Sequence, residues 1–139
     1  MFQRILVPLD LSEKSLKAVD VAYEFAVYSG SQVMLLHVIE IIEHVDFEEL
    51  KPFYNQLEKS ARKGLQDIAE RFLTKNLAVD QSVVYGHRAK EIIDCAVREQ
   101  VDLILMASHR IDPKQHGHES SSISYAVAIL SPCPVLLVK

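Results

Sequence analysis

The stretch Val101-Asp-Leu-Ile-Leu-Met-Ala-Ser-His-Arg110 decides the fold. Its apolar run reads as a buried strand, and it ends abruptly in small and polar residues. A polar loop follows, Ile111-Asp-Pro-Lys-Gln-His-Gly-His-Glu119, then three serines, Ser120 to Ser122, and an apolar segment over roughly Ser122–Leu130. That segment reads as a helix entered through serines. In an open parallel sheet, loops beyond the carboxyl ends of strands are where ligands are held.

The same alternation extends outward in both directions. Within Phe2–Leu9, Ile5-Leu-Val7 is a short buried strand, and Pro8, which has no N–H to donate, helps end it. Asp10 then stands just past that strand. Ser12 reads as the N-cap of a helix starting at Glu13. Leu16, Val19, Ala22 or Tyr23, and Ala26 give that helix one apolar face, and Gly30 stops it. Ser31 to Ile39 is apolar almost throughout, as a strand covered on both faces is. Glu40 to Lys51 carries no decisive pattern. Pro52 can open a helix, and Phe53, Leu57, Ala61, Leu65, Ile68 and Phe72 continue its stripe, with Gly64 inside it. Ala78–Tyr85 alternates in part and predicts a more exposed edge strand, broken at Gly86. Ala89, Ile92, Ile93, Ala96 and Val97 form another helical face, and Pro134-Val-Leu-Leu-Val138 is the last strand.

Five strands alternating with helices, without linker or repeat, predict one α/β domain over 1–139. The expected fold is an open, doubly wound, flavodoxin-like parallel sheet with helices on both faces. With right-handed crossovers the leading strand order is 3-2-1-4-5. Its switch point lies between the first and fourth strands, so Asp10 and the loop after Met106 are expected to face each other across a crevice.

Composition narrows the function classes. At 139 residues, 49% of them apolar, the chain can build a full core and does not read as disordered. A formal charge of −4 gives no footprint for nucleic acid. It leaves room for a local anion site, because helix N-termini supply backbone donors whatever the net charge. The longest apolar run, Val33–Ile39, is far too short to span a bilayer. No secretory pattern opens the chain, so a cytoplasmic location is expected. Cys95 and Cys133 form no metal or redox spacing, which fits two free thiols in a reducing compartment.

Five segments resemble, in order and over the whole length, the universal stress protein family. They are Ile5-Leu-Val-Pro-Leu-Asp-Leu-Ser12, Leu35-Leu-His-Val38, Gly86-His-Arg-Ala89 with Ile92 and Ile93, Asp102–His109, and Pro132-Cys-Pro-Val-Leu-Leu-Val138. The resemblance implies the adenine-nucleotide alpha-hydrolase-like variant of the fold and a regulatory role in the stress response. Family members that bind ATP carry G-x-x-G, nine residues, then G-S or G-T. Here those positions are Ala107, Arg110 and Ser120, followed by Ser121, so all three glycines are replaced. Counting back from Pro132-Cys133 places the final pair at Ser121-Ser122 instead.

By resemblance, Pro8, Leu9, Asp10 and Val38 border adenine and ribose. Met106, Ala107, His109 and Arg110 follow the base and phosphates, and Ser120, Ser121 and Ser122 meet the phosphate tail. Glycine allows close backbone approach and positive φ cheaply. Ala107 loses little if its φ is negative, whereas Arg110 either fills the phosphate space or offers it a guanidinium fork. The serines also read as ordinary helix caps, and Asp10 as a turn or cap residue. The leading expectation is therefore a small regulatory protein acting through protein contacts, with nucleotide binding weakened or lost. The alternative is an ATP- or AMP-binding stress protein with little or no hydrolysis.

Other constellations carry less. His109, His116 and His118 share a loop with Asp112 and Glu119, but no spacing fixes a ligand geometry. The loop reads as solvated, and no metal is expected beyond the Mg that accompanies a nucleotide. His37 reads as a satisfied core histidine, while His87 stands near the presumed crevice. Nothing amounts to a catalytic set, so no enzyme is expected. The apolar edge Val135, Leu136, Leu137 and Val138 is an association hazard unless paired. The resemblance implies that it pairs across a homodimer, with an unidentified protein partner as the target.

Overall fold

The computed structural model of the chain describes residues 2–108 and 122–139. Within them run β1 (Arg4–Pro8), α1 (Leu16–Ser29), β2 (Gln32–Glu40), α2 (Lys51–Leu73) and β3 (Val79–Gly86), then α3 (Arg88–Arg98), β4 (Leu103–Ala107), α4 (Ile123–Leu130) and β5 (Val135–Val138). The strands form one sheet in the order β3-β2-β1-β4-β5, every pair parallel. This is the order that the alternating pattern predicts.

The pleat explains why the central strands are apolar at nearly every position. Ile5, Val7, Val33, Leu35, Leu103 and Leu105 turn to one face, against Ala18, Val19, Ala22 and Ala26 of α1 and Leu65, Ala69 and Phe72 of α2. Leu6, Leu36, Val38, Ile104 and Met106 turn to the other, against Ile92, Cys95 and Ala96 of α3 and Val127 of α4. Asp102 ties the base of the sheet together, its carboxylate accepting the backbone N–H of Gln3 and of Arg4 at 2.9 and 3.0 Å.

Several local expectations are corrected. Glu13–Ser15 is a 3-10 turn and α1 begins at Leu16, which is exposed rather than part of the buried face. Ser12 makes no side-chain cap. Its hydroxyl is already committed to Asp10. In α2 the buried stripe starts at Tyr54 (1% exposed) and leaves Phe53 (49%) and Leu57 outside. Val97 of α3 is likewise exposed. Gly30 does end α1 in a left-handed conformation, φ 68°, with its N–H donating to the Ala26 carbonyl.

Candidate functional site

The carboxyl ends of β1 and β4 open onto a cleft of about 270 Å³ at the switch point of the sheet. Its geometry starts from the chain leaving β1. Leu9 is buried, its N–H donating to the Leu36 carbonyl at 2.8 Å and its carbonyl accepting from His37 Nδ1 at 2.7 Å. His37 is thus a satisfied histidine, with its proton on Nδ1. Asp10 comes out exposed, and Leu11 turns left-handed with φ 66°. Such a backbone costs a non-glycine residue about 1 kcal/mol or more, so packing must hold it. Leu11 seats against Gly64 of α2, where an added Cβ would lie 3.4 Å from Leu11 Cδ1.

Ser12 then locks the carboxylate. Its N–H and its hydroxyl both donate to Asp10 Oδ1, at 2.9 and 2.6 Å, in an Asx-type turn. Partial burial pushes this carboxyl up. The two Ser12 bonds, the nearby Arg88 guanidinium and Ser15 outweigh it and hold Asp10 below the usual carboxylate range. Asp10 is ionised at neutral pH and points of attachment for its loop are short and local.

Apolar walls come from Leu36 and Val38 of β2, Ile92 of α3 and Met106 of β4. Ala107 and Ser108 form the β4 rim, and Ser122, Ile123 and Ser124 the start of α4. Ala107 is an extended strand residue paired with Val138 and is not among the positive-φ residues. The first glycine replacement therefore carries no backbone penalty. Ser122 has the extended backbone of an N-cap, yet its side chain makes no cap. Its hydroxyl pairs with that of Ser124 at 2.9 Å, and Ser124 donates onward to Ser108 Oγ at 3.3 Å. Lys139 Nζ donates to the same Ser108 oxygen at 3.4 Å.

Of the residues singled out from sequence, the structure brings Pro8, Leu9, Asp10, Val38, Met106, Ala107 and Ser122 to one cleft. His109, Arg110, Ser120 and Ser121 lie outside the described residues, as does the loop with Asp112, His116, His118 and Glu119. His87 is not part of the lining; it is exposed and pairs with Glu43 at 3.6 Å. Two cations that the sequence did not flag do line the cleft, Lys14 and Arg88. Arg88 opens α3 and Lys14 stands in the turn just before α1, and a cation at a helix start opposes the macrodipole. That misplaced sign was the available signal. Arg88 reaches Glu40 loosely, Nε to Oε1 3.7 Å.

Among the described residues no group of three or more His, Cys, Asp or Glu is placed to hold a metal ion. Among them also, no helix is long and apolar enough to cross a membrane.

Comparison with known proteins agrees with this geometry. Universal stress protein YxiE of Bacillus subtilis is 29% identical, with both chains covered in full. A solved structure of MJ0577, a universal stress protein of Methanocaldococcus jannaschii, is similar at a TM-score of 0.83 and 29% identity, covering 100% of this chain and 96% of that one. A universal stress protein from Archaeoglobus fulgidus in complex with dAMP shares the fold, with a TM-score of 0.67 at 16% identity and 99% and 98% coverage. The sequence model of the universal stress protein family matches residues 1–139. The chain therefore belongs to the universal stress protein family.

Proposed function

We propose that this protein is a regulatory member of its family whose cleft binds an adenine nucleotide weakly, and which acts as a homodimer through protein contacts. The observation that carries the reading is the formed cleft itself. Asp10 is held ionised and fixed at its mouth, apolar walls stand behind it, and Ala107 keeps the extended rim despite replacing a glycine. A carboxylate at a strand end suits ribose hydroxyls, and flat apolar walls suit a base. A protein of this fold in complex with dAMP supports the ligand class. Weakness follows from the sequence, in which Arg110 and Ser120 replace glycines of the motif by which family members bind ATP.

Turnover is not part of the proposal. Asp10 is the one carboxylate lining the cleft among the described residues, and phosphoryl transfer needs a positioned base and charge neutralisation beyond it. Calorimetric titration tests the reading. AMP is expected to bind with a Kd of roughly 0.1–1 mM, about 4–5.5 kcal/mol. Asp10→Ala is expected to weaken this by about tenfold or more, since it removes a charged hydrogen-bond partner. Absence of any binding heat at several-fold higher AMP would leave only the protein-contact half of the proposal.

A further inference from the structure

We infer that Lys14 is the phosphate-selecting residue of this cleft, supplying by a side chain the contact that the family's glycine backbone gives elsewhere. The inference rests on the adenine-nucleotide reading and names how that site discriminates a phosphorylated ligand from a bare nucleoside. Among the described residues two cations line the cleft, and they differ in how they are engaged. Arg88 pairs with Glu40 and acts on Asp10. Lys14, exposed at the border of the cavity, makes no ion pair and no hydrogen bond among the described residues.

Its position is electrostatically odd for a structural lysine. The Glu13–Ser15 turn leads straight into the N-terminus of α1, where the helix field favours anions and opposes a cation. Glu13, in the same turn, supplies the sign that the helix end prefers, and it does not line the cleft. Lys14 does. The turn also packs against β4, whose end carries Ala107 and Ser108 on the rim that follows the phosphates by family resemblance. An ammonium there adds its charge to a field already positive, and a phosphate is the ligand group that gains from both. A lysine is a flexible point charge with three donors, so it does not need the close backbone approach that the motif's glycines permit.

The test is a calorimetric comparison of AMP with adenosine on the full chain and on Lys14→Gln, with Lys17→Gln as the charge-matched control outside the cleft. AMP is expected to bind the parent protein about tenfold more tightly than adenosine, the scale of one charge-assisted hydrogen bond. Lys14→Gln is expected to bring that ratio close to one, and Lys17→Gln to keep it. A thermal melt of Lys14→Gln that matches the parent would certify the fold. If AMP keeps its preference in Lys14→Gln, or has none in the parent while adenosine binds, the assignment of Lys14 is overturned and the nucleoside cleft stands. If neither ligand binds the parent, both readings fall.

Discussion

Tyr85 Oη donates to Glu58 Oε1 at 2.7 Å, with the rings of Tyr54 and Phe47 edge-on to its own at 5.9 and 5.7 Å. Desolvation and then the adjacent carboxylate push its phenol up to about 12, from an ordinary 10.0. Glu58 is held below the usual carboxylate range, first by this bond and then by Arg62. The linkage sign follows. The folded state keeps the Tyr85 proton after the unfolded chain has lost its own, so this contribution to stability is complete below about pH 10 and is lost as pH rises towards 12. Subtracting the phenolate absorbance titration of Tyr85→Phe from that of the parent is expected to leave one group with a midpoint near 12. A midpoint near 10 would show that neither the desolvation nor the Glu58 bond acts on this phenol. At the same scale, sequence pointed to Asp10 because any residue just past a buried strand stands at a site of ligand contact. The sign of Lys14 and Arg88 at helix starts marked them out but could not place them in the cleft. Whether a helix-end cation turns to solvent or to a cleft depends on how the helix docks, which no local pattern encodes.

Within α2 the limits of periodicity are plain. Phe53 and Tyr54 are both aromatic, so a 3.6-residue stripe fits either, and the choice is made by a partner far away. Tyr54 goes inside because its hydroxyl accepts the Ile42 N–H at 2.8 Å and its ring stacks on Phe47 at 4.9 Å, both from the connector before α2. A buried tyrosine needs such a partner, whereas phenylalanine tolerates the surface without one. Strands were more legible than helix phases, since a strand covered on both faces announces itself as an unbroken apolar run. Gly64 is a second case. It sits mid-helix, where glycine costs about 0.5–1 kcal/mol relative to alanine. The 3.4 Å to Leu11 that a Cβ would have is ordinary contact. Gly64→Ala is therefore expected to raise the stability read from a denaturant melt by about 0.5–1 kcal/mol. A loss instead would mean that Leu11 cannot yield at all. Gly86→Ala is expected to go the other way, because φ is 149° there and a Cβ would stand 2.6 Å from Glu91 Oε1.

At the scale of the molecule, the parallel sheet ends in β5, bonded to β4 along one side, with Leu136 exposed. An apolar terminal strand of this kind favours association, and the proposed homodimer uses it. Sedimentation is expected to give a dimer for the parent and a monomer for Leu136→Asp; an unchanged dimer in the variant would move the interface elsewhere. The overall topology was readable in the sequence because alternating strands and helices, right-handed crossovers and two-faced burial leave few arrangements open. The same topology places β1 and β4 side by side, and so creates the cleft. The central claim, that this cleft is the nucleotide site, is tested most directly by titrating the isotopically labelled protein with AMP and following its backbone amide resonances. Saturable shifts concentrated at Leu9, Asp10, Val38, Ile92, Ala107 and Ser108 are the expected result. Shifts gathered on another surface, or none at millimolar AMP, would contradict it.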